Sequence, residues 1–123
     1  MNSISRCFDA SILKPETTRK DAIAAINECL KYRTITVCVR PCDIDLAKSM
    51  CKGTDTSVCC VLGFPHGDGL SDVKRAEAKI YVENGVSEID MVANYGFARS
   101  GEWKLYENDI RAVSSVTENP AFF

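Results

Sequence analysis

A carboxylate placed inside an apolar strand is the strongest chemical signal in this chain. Ser87-Glu88-Ile89-Asp90-Met91-Val92-Ala93-Asn94-Tyr95 sets Asp90 among Ile89, Met91 and Val92. An isolated buried charge is too costly to keep, so such a carboxylate is paired, hydrogen-bonded or functional. Burial would raise the pKa of Asp90 and suit it to general acid or base work near neutral pH, while Arg40 is a cation able to lower it again. The alternative is a structural Asp90 satisfied by backbone N–H groups or an ion pair. Asp9 ends the first apolar stretch, as a second polar site group or a loop cap. Cys38 reads as core thiol or site wall. His66, the one histidine, follows Phe64-Pro65 in the loop Gly63-Phe64-Pro65-His66-Gly67-Asp68-Gly69. Asn94 and Tyr95 come directly after Asp90's strand, placed to bind a substrate oxygen or simply to pack the loop. Asp90 and Asp9 are therefore the catalytic candidates, and Cys38, Arg40, His66, Asn94 and Tyr95 the substrate-binding ones.

The elements that must hold these residues alternate along the chain. A strand over residues 6–9 runs on toward Pro15. A helix follows over 18–32, with Thr18 as cap, Asp21 three residues on, and Ala22, Ile23, Ile26, Cys29 and Leu30 at helical spacing. The β-branched run 34–39 predicts a second strand. Asp43 is placed to cap a second helix that ends before Gly53. Residues 57–62 read as a third buried strand. Ser71 then begins a helix with Val73, Ala76, Ile80 and Tyr81 on its inner side, stopped by Gly85. After the Asp90 strand and a polar turn at 99–102, a fourth helix spans 103–116 through Trp103, Tyr106, Ile110 and Val113. The last residues, 119–123, form no element, and their two terminal phenylalanines are expected to dock on the fold.

Four strands alternating with four helices predict an α/β fold with a parallel sheet and right-handed crossovers. A complete (β/α)8 barrel needs eight such units and about 250 residues, so the pattern reads as a half TIM barrel in a single domain, 1–123. Composition narrows the function classes. Fifteen basic and seventeen acidic residues are interspersed and give a net charge of −2, which leaves no footprint for nucleic acid or an anionic membrane. No segment approaches the roughly 20 apolar residues of a membrane span, nor does the N-terminus read as a signal peptide. Seven cysteines, odd in number and mostly inside apolar runs, read as reduced core thiols in a reducing compartment, hence a cytoplasmic protein. Neither Cys38 with Cys42 nor Cys59 with Cys60 has zinc-site spacing, and the Gly63 to Gly69 loop lacks the lysine and serine of a P-loop. No metal or other cofactor is expected.

Four motifs carry a resemblance. Phe8-Asp9-Ala10-Ser11-Ile12-Leu13-Lys14-Pro15, Thr36-Val37-Cys38-Val39-Arg40-Pro41, Val61-Leu62-Gly63-Phe64-Pro65-His66-Gly67 and Glu88-Ile89-Asp90-Met91-Val92 stand in order and spacing. With them, residues 6–116 resemble the N-terminal half of the deoxyribose-phosphate aldolase family. That resemblance implies a (β/α)8 barrel in which a sixth-strand lysine forms a Schiff base and a seventh-strand lysine tunes it. It also implies a proton-relay role for Asp90, with Asp9 and Cys38 lining the same end. Ala10 departs from the family's usual histidine.

The match ends near Val116, so strands five to eight and both lysines are expected to be missing. The lysines present fall on helices and loops and are expected to be solvated; Lys14 is the one near a strand end. The reading is thus a diverged aldolase-like enzyme using Asp90 as general acid or base, without the Schiff-base lysine. Its substrate is a small carbonyl-containing or hydroxylated molecule undergoing cyclisation, addition, dehydration or isomerisation. The alternatives are aldolase-type C–C lyase chemistry through another lysine, and a non-catalytic binding module or truncated aldolase product. An open half barrel has two free strand edges, so a homodimer or higher homo-oligomer is expected to complete it.

Overall fold

Four short parallel strands stand side by side in their order along the chain, β1 (Asp9–Ile12), β2 (Thr36–Val39), β3 (Ser57–Leu62) and β4 (Glu88–Met91). These are seen in a computed structural model that describes residues 4–117. Between and after the strands lie α1 (Arg19–Tyr32), α2 (Ile44–Cys51), α3 (Ser71–Glu83), α4 (Tyr95–Arg99) and α5 (Trp103–Ser114). The register pairs Ser11 with Cys38, Cys38 with Cys59, and Val61 with Asp90.

Alternation along the strands divides the sheet into two faces. Ile12, Val37, Val39, Val58, Cys60 and Leu62 point to one side, where Ala22, Ile26, Cys29, Leu46, Ala47, Ala78, Tyr81 and Val113 of the helices pack on them. The opposite side carries a small apolar patch of Cys38, Cys59, Val61 and Leu13 beside Asp9 and Asp90. Cys59 and Cys60 thus serve different faces, as adjacent strand residues must. Helices on one face only is the arrangement of a barrel wall, and it confirms the half-barrel reading. Among the described residues the outer edges of β1 and β4 have no strand partner. Among the described residues, no helix is long and apolar enough to cross a membrane.

Local sequence explains most boundaries. Thr18 and Asp21 form a reciprocal capping box, and α1 ends at Arg33 in the left-handed region (φ 53°), its N–H turned back to Cys29 and Leu30 carbonyls. Other expectations are corrected. The first strand begins at Asp9, because Ile4–Cys7 forms a 3-10 turn held by Arg6, whose guanidinium donates to the carbonyls of Arg33, Thr34 and Asp55. Asp43 does not cap α2 through its side chain, which is instead paired with Arg40 at 2.7 Å. Leu70, not Ser71, is the N-cap of α3.

The inner face of α3 is also rotated from the expected one. Val73 and Ile80 are each 53% exposed, whereas Lys74, Ala78 and Tyr81 are buried. Ile23 of α1 and Trp103 of α5 likewise face outward. Residues 95–99 form α4 rather than loop, and α5 stops at Ser114. β4 is shorter than the apolar run that announced it, and Asp90 is exposed on the helix-free face rather than buried. The docking expected of the terminal phenylalanines lies outside the described residues.

Candidate active site

All four strands aim polar side chains into one spot on the helix-free face. The carboxylate oxygens of Asp9 (β1) and Asp90 (β4) and the sulfurs of Cys38 (β2) and Cys59 (β3) all lie within 4.8 Å of one another. Thr36 Oγ1 donates to Asp9 Oδ1 at 2.5 Å, and Cys38 Sγ donates to Asp90 Oδ2 at 3.7 Å. The two carboxylates, contributed by the first and last strands, thus face one another across the thiols of the middle two.

Desolvation raises the pKa of Asp9 above the ordinary carboxylate range, the Thr36 hydroxyl opposes it, and the charge and hydrogen bond of Asp90 raise it further. Glu88, on the same strand as Asp90, is also raised, by burial and then by the charges of Asp9 and Asp90. The interaction of the Cys59 thiol, as donor, with Cys38, together with burial, pushes Cys59 far up, so it stays protonated and is no nucleophile. Two carboxylates this close beside a thiol donor are a grouping of the kind that general acid–base chemistry uses. The same four side chains are close enough to hold a cation, but it would have to displace the proton on Cys59.

Of the candidates named from sequence, the fold brings together Asp9, Cys38 and Asp90. Arg40 is engaged elsewhere. Its Nε and a terminal nitrogen hold Asp43 at 2.8 and 2.7 Å, and its remaining donors reach the carbonyls of Lys14, Pro15 and Thr17 at 3.0–3.1 Å. It clamps the β1–α1 loop to the end of β2 and makes no hydrogen bond to Asp90. His66 is exposed in the β3–α3 loop, Asn94 caps α4 by accepting from Phe97 N–H at 3.4 Å, and Tyr95 opens α4 half exposed. These three stand past the C-terminal ends of β3 and β4, the rim where barrel enzymes carry their sites.

Sequence reasoning missed Thr36 and Cys59, and above all a pair beneath that rim. Lys74 is 1% exposed, and its ammonium donates to Asp109 Oδ2 (2.7 Å), Gly67 O (2.7 Å) and Val92 O (3.0 Å). Asp109 also accepts from Ser71 Oγ and from Asn94 N–H, each at 2.8 Å. The lysine expected in solvent is therefore fully buried, with every donor used. The signal was present in the spacing: Lys74 precedes Ala78 and Tyr81 by four and seven positions, and Asp109 precedes Val113 by four, so both share their helices' buried faces.

Four β/α units with helices on one face and a polar strand-end cluster on the other define half of a (β/α)8 enzyme scaffold. Comparison with known proteins makes this specific. The sequence is 42% identical over 113 residues to deoxyribose-phosphate aldolase of Lactococcus lactis subsp. lactis, covering 92% of this chain and 51% of that protein. A solved structure from Coccidioides immitis named for the same aldolase superposes with a TM-score of 0.90 at 35% identity, covering 94% of this chain and 46% of the other. A deoxyribose phosphate aldolase from Aeropyrum pernix, described as a unique tetramer, superposes with a TM-score of 0.64 at 28% identity, over 85% of this chain and 47% of that one. No protein-family model matches the chain. The chain spans about half the length of the curated relatives it matches. It resembles the N-terminal half of deoxyribose-phosphate aldolases, as its four motifs predicted.

Proposed function

We propose that this chain supplies the acidic wall of an aldolase-type site and that Asp90 is its general acid or base, moving a proton at carbon or oxygen of a small carbonyl substrate. The observation that carries this reading is the close approach of the Asp9 and Asp90 carboxylates, within 4.8 Å and open to solvent on the helix-free face. Asp90 exchanges the proton with substrate beside Asp9, and Thr36 and Cys38 fix the two carboxyls from either side. His66, Asn94 and Tyr95 at the rim are the proposed contacts for substrate oxygens. The names of the relatives make a deoxyribose phosphate or its aldehyde fragment the first substrate class to try.

The chemistry proposed for this chain's own residues is independent of a Schiff-base lysine. Lys74 is unsuited to that role, because a nucleophilic amine must be free and neutral, whereas this one is saturated with acceptors. The second reading, C–C cleavage or formation through a lysine, is favoured by the identity to the aldolases. Borohydride trapping in the presence of acetaldehyde separates the two, since only the second labels a lysine. The test of the first is deuterium incorporation into the acetaldehyde methyl group, followed by proton NMR, in wild type and Asp90→Asn. Full exchange in the variant would sink it.

The two unpaired strand edges and the exposed carboxylate face call for cover, which we assign to a homo-oligomer, in its simplest form a homodimer. The seven free thiols, five of them buried, suit the reducing cytoplasm.

A further inference from the structure

The buried Lys74–Asp109 pair lies outside the proton-handling cluster, yet its hydrogen bonds end on the two loops that frame it. Lys74 holds Gly67 O, one residue past His66, and Val92 O, two residues past Asp90. Asp109 holds the N–H of Asn94 in the same β4–α4 connection. The two loops are thereby pressed together. A Cβ on Gly67, whose φ is +68°, would stand 2.5 Å from Ala93 O and 2.7 Å from Val92 Cγ1, so only glycine fits between them. The ends of β3 and β4 would otherwise leave the sheet independently, because loops past a sheet are its least constrained part.

We infer that Lys74 and Asp109 are positioning residues of the Asp9–Asp90 site, setting the direction in which β4 leaves the sheet and with it the distance between Asp90 and Asp9. The choice of an ion pair for this task has a physical reason. One ammonium can satisfy two carbonyls from different loops and a carboxylate at once, and the carboxylate has lone pairs left for a backbone N–H and a hydroxyl. An apolar pair in the same volume would pack but would direct neither carbonyl.

The inference rests on reading Asp9 and Asp90 as the working pair, but its test reads their geometry whether or not a substrate turns over. Carboxyl carbons of Asp9 and Asp90 are followed by carbon-13 NMR through a pH titration of the whole chain. Three variants are compared with wild type: Asp109→Asn, the double change Lys74→Met with Asp109→Leu, which leaves no charge buried, and Gly67→Ala, which forces apart the two carbonyls that Lys74 bridges while keeping both members of the pair. Ser71→Ala, which removes only the hydroxyl bond to Asp109, serves as control. The expected result is that Asp9 titrates lower in each of the three, having lost the neighbouring carboxylate, and is unchanged in the control. An unchanged Asp9 titration in a folded variant would overturn the inference. So would loss of the native fold in all three, which would assign the pair to stability alone.

Discussion

Lys74 Nζ and Asp109 Oδ2 stand 2.7 Å apart with side-chain exposures of 2% and 0%, joining α3 to α5 beneath the loops that follow β3 and β4. A pair this deep is weak evidence of net stabilisation, since both ions lost their water. Breaking it is another matter. Lys74→Met leaves Asp109 charged and buried beside the Ser71 hydroxyl and Asn94 N–H alone, and is expected to cost about 3–5 kcal/mol. Urea unfolding measures it, and a cost below about 1 kcal/mol would mean that water reaches Asp109.

Asp90→Asn keeps the shape and the Cys38 contact but cannot take up a proton. Methyl-deuterium exchange of acetaldehyde is expected to slow by about 10²–10⁴-fold, the usual contribution of a positioned acid or base. The chain should remain folded, because Asp90 is exposed and makes no ion pair with a described residue.

Asp9 gives the pH dependence its sign. Its folded pKa lies above the unfolded value of 3.8, so the folded state holds the proton more tightly. The stabilisation is fully present below the unfolded value and is lost as the pH rises through the folded one. Asp9→Asn removes this titration. Its unfolding midpoint should vary less with pH across that window and should equal or exceed that of wild type at neutrality. A variant with the wild-type slope would show that Asp9 is not the coupled group.

Light scattering over a dilution series tests the cover proposed for the open face. A dimer or larger assembly is expected. A monomer at every concentration would mean that the β1 and β4 edges are protected otherwise.

Thr18→Ala removes the capping box at the start of α1. It should lower stability by about 1 kcal/mol with no effect on proton exchange, since the cap lies outside the carboxylate cluster. Loss of exchange in this variant would tie α1 to the site.

Much of this was legible before any coordinates. The capping residues of α1, the β-branched run of β2 and the glycines after the helices act through neighbours in sequence, so local chemistry names them. The pairing of Asp9, Cys38 and Asp90 was legible only through family motifs, since nothing local says that residues from strands one, two and four meet. Arg40 and Asp43 misled for the opposite reason. Three residues apart, each looked free for a role elsewhere, and they satisfy one another.

The errors on α3 and Asp90 have one source. Hydrophobic periodicity assumes that apolar side chains mark the buried face, but Lys74 takes that face on α3 because Asp109, far along the chain, neutralises it there. Apolar neighbours likewise suggested burial for Asp90, whereas the sheet is covered by helices on one side only and Asp90 looks out from the other. The order of strands and helices and the residue types of the site were determined by the sequence itself, through spacing, capping and turn chemistry. Which charges are buried, which are open and which carboxylates face one another was decided only in the tertiary structure, because desolvation and Coulomb energy depend on distances that the fold alone creates.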